Sequence, residues 1–135
     1  MKRTILTAIL GAATMAVLVV PGIASAARPI KTAPAPQIIL NATDPHLGDT
    51  VTFTTIYPDT AKNPLVGVVC SQNGAPVFSA AVPVGQSIKL GGSSSQWTAT
   101  GGAATCIATL YSWDFRPYQT FVQYAQMSFN AGTWR

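Results

Sequence analysis

Two groups of side chains along this chain could do chemistry, and each asks for partners that can be checked. His46 is the only histidine, and Asp44 and Asp49 lie within three residues of it. A histidine between carboxylates is half of a nucleophilic triad, in which imidazole takes the proton of a serine and a carboxylate holds its tautomer. The other half is missing. No serine sits in a nucleophile elbow, and no glycine motif offers an oxyanion hole. The four acidic side chains are all aspartate, so a glycosidase pair would have to be assembled from distant loops. Asn41, Asp44 and Asp49 offer hard oxygens, but calcium needs six to eight of them. Zinc would have to use one histidine and two cysteines far apart in sequence. The sequence therefore predicts a surface-loop histidine, no catalytic residue, no metal site and no cofactor.

The second group is the run Trp113-Asp114-Phe115-Arg116-Pro117-Tyr118, with Trp97 and Trp134 elsewhere. Trp, Tyr and Arg dominate binding hot spots, because each brings large area or several donors at limited entropic cost. Pro117 restricts the segment, which lowers the ordering penalty of binding. Exposed tryptophans also stack on the apolar C–H faces of sugar rings. Trp113, Phe115, Arg116, Tyr118 and Trp97 are the binding candidates. The competing reading is that the aromatics of 113–118 fold back and plug one end of the domain, with Asp114 and Arg116 pairing to each other.

The elements that must position these residues begin after an address. Lys2 and Arg3 form a basic head, Ile5 to Val20 is uncharged and apolar, Pro21-Gly22 breaks the run, and Ala24-Ser25-Ala26 supplies a small-x-small cleavage pattern. That is the anatomy of a secretory signal peptide over residues 1–26. The apolar run falls short of the roughly 20 residues that a membrane-spanning helix needs. No cysteine stands at the cleavage site to take a lipid. The expectation is an extracellular product with no membrane span after cleavage. In an exported chain the only two cysteines, Cys70 and Cys106, read as a disulfide. Closing that loop would contribute roughly 4 kcal/mol in the chain-entropy description.

The remaining chain is long enough for one domain. After residue 26 it carries six Lys or Arg against four Asp, a net charge of +2 in place of +4. The cations are scattered, so nothing forms the basic stripe that a nucleic acid would require. β-branched and aromatic residues outnumber charged helix formers, which favours strands. Residues 27–36 hold three prolines and read as a lead-in. Thr50 to Tyr57 alternates with period two, as a half-buried strand does. Leu65 to Gln72 places Val66, Val68 and Cys70 on one face. Asn73-Gly74 then signals a tight hairpin into Val77 to Val82. Ala104 to Trp113 sets Cys106, Ala108 and Leu110 against Ile107, Thr109 and Tyr111. Thr120 to Phe129 is the last strand, with Phe121, Ala125, Met127 and Phe129 assigned to one face. About seven short strands separated by turn residues predict an all-β, antiparallel sandwich over 37–131, with a tail at 132–135.

Leu47-Gly48-Asp49-Thr50-Val51-Thr52-Phe53 resembles the turn and second strand of immunoglobulin-like and fibronectin-III-like sandwiches of secreted bacterial proteins. Cys106-Ile107-Ala108-Thr109-Leu110-Tyr111 is similar to their sixth strand. The likeness departs from antibody domains in three ways: no cysteine in the second-strand segment, no tryptophan in Leu65 to Gln72, and Ala104 at the tyrosine-corner position. The resemblance implies an immunoglobulin-like architecture, and a sandwich of this kind does not carry a function with it. The expected role is a non-enzymatic module that binds a protein or a cell-envelope glycan. The alternatives are a carrier of a small apolar ligand and, behind it, a secreted hydrolase.

Overall fold

The computed structural model describes residues 32–92, 96–114 (the Asp114 side chain excepted) and 119–134. The expected signal peptide, and Phe115, Arg116 and Tyr118, lie outside them. The compact unit Thr32–Arg135 holds every described element. Its strands are β1 (Gln37–Leu40), β2 (Thr50–Val51), β3 (Phe53–Ile56), β4 (Pro64–Gln72), β5 (Ala75–Pro83), β6 (Ile88–Lys89), β7 (Ala104–Asp114) and β8 (Thr120–Ala131). A 3-10 turn, Ala99–Gly101, precedes β7. The fold is all-β and every pairing between strands is antiparallel.

The larger layer is a four-stranded sheet in the order β5-β4-β7-β8. The facing layer is built from β1 on β3 and β6 on β2. Only Thr52 separates β2 from β3, so the predicted strand Thr50 to Tyr57 is interrupted there and serves β6 with its first half and β1 with its second. Thr52 is not idle, since its carbonyl accepts from the Asn41 N–H at 3.0 Å.

The inward face of β4 and β7 is fully apolar at its centre. Val68, Cys70, Cys106, Ala108 and Leu110 have no exposed surface. They pack with Ile38, Val51, Phe53, Ile88 and Leu90 of the facing layer. Phe53 and Phe129 meet across the layers with ring centroids 6.2 Å apart. Each fully buried Val or Leu contributes about 1.5–3 kcal/mol. Cys70 and Cys106 are direct cross-strand partners, their Cα atoms 3.9 Å apart, and they form the disulfide. The bridge therefore ties two neighbours of one sheet, at the middle of the core.

The β4–β5 hairpin turns at Asn73-Gly74, with φ of 50° and 81°. Both values lie in the left-handed region that a type I′ turn needs. Gln72 ends β4 as a buried polar side chain. Its Nε2 donates to the carbonyls of Thr98 (2.9 Å) and Gly102 (2.6 Å), and its Oε1 accepts from the Thr98 N–H (3.2 Å). One glutamine thus holds the whole turn that leads into β7.

The last strand differs from its sequence reading in one decisive place. Leu110 pairs with Ala125, but Tyr111 pairs with Gln123, so Tyr124 is an extra residue on β8. A bulge of this kind shifts the alternation by one residue. Ala125, Met127 and Phe129 face the core, whereas Phe121 turns to the opposite face and is 49% exposed. Tyr124 points inward, and its hydroxyl shares a hydrogen bond of 2.8 Å with that of Ser112. The expectation that Phe121 shares the core face is therefore corrected by this bulge.

Candidate functional site

The outward face of the four-stranded sheet follows from the register. It carries Leu65, Gly67, Val69 and Ser71 of β4, Ser79, Ala81 and Pro83 of β5, Thr105, Ile107, Thr109, Tyr111 and Trp113 of β7, and Phe121, Gln123, Gln126, Ser128 and Asn130 of β8. No charged residue stands among them. A charge-free sheet face with Val69, Ile107, Trp113 and Phe121 all at least 36% exposed is unlike an ordinary solvated face.

Its aromatics form a strip. Phe121 stands between Tyr111 (centroids 5.1 Å, tilted by 36°) and Trp113 (5.8 Å, edge-on at 69°). Contacts of this geometry add about 0.5–1.5 kcal/mol beyond their burial, which fixes the ridge in place. Tyr111 lies over Gly67, where an added Cβ would come within 3.0 Å of the ring. Beside this ridge the small outward residues Gly67, Ser79 and Ala81 leave a groove of about 250 Å³, bounded on the β7–β8 side by Tyr111, Phe121 and Gln123. The ridge and groove together can take up apolar side chains or a sugar face, with Thr109, Ser79 and Gln123 as hydrogen-bond partners.

Trp113, where the predicted strand meets the aromatic run, belongs to β7. It lies on the outward face against Phe121, so the plug reading does not hold for this residue. Phe115, Arg116 and Tyr118 follow it in sequence. Trp97, a binding candidate by sequence, is only 6% exposed and joins the core. The Gln72 clamp on Thr98 and Gly102 is the physical reason, because it draws this turn inward. With Trp134, Leu47, Gly48 and Leu90 to Gly92, Trp97 lines a separate cleft of about 240 Å³. Trp134 is 62% exposed and packs on Gly48, where a Cβ would collide with its ring.

His46, expected on the surface, is half-buried in its loop. Its Nδ1 donates to the Asp44 carbonyl at 2.9 Å, and its backbone N–H donates to Asp49 Oδ2 at 2.8 Å. Pro45, His46 and Leu47 grip Gly132 at the end of β8, through Gly132 N–H to Pro45 O and Leu47 N–H to Gly132 O, each 2.8 Å. The ring lies so close to Gly132 that a Cβ there would clash. Among the described residues no three His, Cys, Asp or Glu side chains converge as metal ligands.

Sequence reasoning missed Tyr111 and Phe121. The pair Tyr111 and Trp113, two apart on one strand, was the available signal. The bulge that brings Phe121 between them carries no glycine or proline to announce it. Among the described residues no helix is long and apolar enough to cross a membrane. Compared with protein-family models, curated proteins and solved structures, the chain finds no match in any of the three.

Proposed function

We propose that this chain is an exported, non-enzymatic recognition module that binds a protein or a cell-envelope glycan through the outward face of its four-stranded sheet. The observation that carries this reading is the Tyr111–Phe121–Trp113 ridge beside its groove, on a face without charge. Interface centres are depleted in charge and enriched in aromatics in this way. Phe115, Arg116 and Tyr118, next in sequence after this ridge, remain binding candidates by residue type alone.

The buried Cys70–Cys106 bridge supports export, since such bonds persist in oxidising compartments. The division of β1, β2/β3 and β6 from β4, β7 and β8 supports the immunoglobulin-like resemblance, in which first, second and fifth strands face third, sixth and seventh. The carrier reading draws weaker support. The Trp97–Trp134 cleft is smaller than the ~300–1,000 Å³ of sites that enclose a small ligand.

Retention of residues 27–135 on the producer's own envelope fraction and culture medium tests the reading. Wild type is retained, and Trp113→Ala/Phe121→Ala loses at least tenfold. Equal retention of both proteins would remove the outward face from consideration. Digesting the fraction with protease or with polysaccharide hydrolases then assigns the partner class.

A further inference from the structure

The edges of the two layers are unlike. β1 and β6 are four and two residues long. β5 is longer, but carries Pro76 and Pro83. Short length and proline are the usual means of preventing an edge strand from pairing with another chain. β8 has neither. It is twelve residues long, Thr-Phe-Val-Gln-Tyr-Ala-Gln-Met-Ser-Phe-Asn-Ala, with no proline and no charge.

Among the described residues no strand pairs with the far side of β8, which ends the sheet. Its last turn is gripped at Gly132 by the His46 loop and β1 packs beside it from the facing layer, so among the described residues the backbone edge of Phe121 to Asn130 is left without a strand partner. Along an antiparallel strand every second residue aims its N–H and C=O away from the existing neighbour. Those groups are a template for an extended backbone. The bulge at Tyr124 interrupts the template at one point and leaves the residues from Ala125 to Asn130 in regular register.

We infer that this edge pairs with β8 of a second copy of the chain, antiparallel about a two-fold axis, making one continuous sheet of eight strands. The second copy is favoured over a foreign strand by self-complementarity. In a two-fold pair each residue meets a residue of the same strand, so any charge in β8 would face its own kind, and there is none. Gln126, Ser128 and Asn130 are exposed on one face and can bond across the axis as amides and hydroxyls do. The pairing also sets two aromatic ridges on one outward face, although it does not depend on what those ridges bind.

Sedimentation of residues 27–135 over a wide concentration series tests the pairing. The mass rises from one chain to two. Gln126→Lys/Ser128→Lys, both on exposed positions, shifts the dimer midpoint upward by at least about tenfold, because four lysines then crowd the axis. Ala75→Lys/Gln86→Lys adds the same charge away from β8 and dimerises as wild type does. Amide exchange of wild-type β8 slows as concentration rises, which gives a readout that needs no variant to fold. A chain that stays monomeric throughout, or a dimer indifferent to the β8 lysines with unprotected β8 amides, overturns the inference.

Discussion

Gln72 shows how much one polar side chain can organise. It is buried, and all three of its hydrogen bonds go to backbone groups of the turn before β7. Gln72→Leu keeps the volume roughly but orphans those groups, so it should cost about 2–4 kcal/mol in urea denaturation. A loss below 1 kcal/mol would show that water replaces the amide without penalty. Tyr124→Phe removes only the bond to the Ser112 hydroxyl. Its expected cost is about 1 kcal/mol, measured in the same way. Little of this was legible in the sequence. A glutamine at a strand end reads as solvent-facing, and only the third dimension reveals the turn that needs it. Trp97 was misplaced for the same reason, since the neighbouring glycines and serines suggested exposure while the clamp beside them buries the ring.

Elements with strict alternation were the most readable. Val66, Val68 and Cys70, and Cys106, Ala108 and Leu110, fall on the core face as the period-two pattern required, and Asn73-Gly74 turns the hairpin between β4 and β5. The alternation of β8 was misread beyond one point, because a bulge adds a residue without any change in composition. Deleting Tyr124 tests this directly. The strand would become continuous with Gln123 still opposite Tyr111 and Phe121 still opposite Trp113, so the outward ridge is kept while the inward bond between the Tyr124 and Ser112 hydroxyls is lost. Partner retention should therefore survive the deletion, with a stability loss of about 1 kcal/mol or more in urea denaturation. Loss of retention would show that Phe121 does not keep its place opposite Trp113 once the extra residue is gone. The disulfide joins two strands already paired, in a buried position. Denatured protein should titrate with no free thiol, and Cys70→Ala/Cys106→Ala should lower stability by about 2–5 kcal/mol.

At the scale of the whole molecule, the layers divide the chain's duties. The small layer of β1, β2/β3 and β6 completes the core and, through the His46 loop, fastens the end of β8. The large layer has its inward face buried and its outward face free of charge. Composition foretold the all-β class, because β-branched and aromatic residues with few charges fit pleated surfaces better than helices. It did not foretell which face would be left uncovered, since that depends on how the strands divide between layers. The most direct test of the recognition face is amide hydrogen exchange, with and without the fraction that retains the protein. Slowed exchange is expected at Gly67 to Val69, Ser79 to Ala81, Thr109 to Trp113 and Phe121 to Gln123. Slowing confined to Leu47-Gly48 and Leu90 to Gly92, with the outward face unchanged, would contradict it and assign binding to the Trp97–Trp134 cleft.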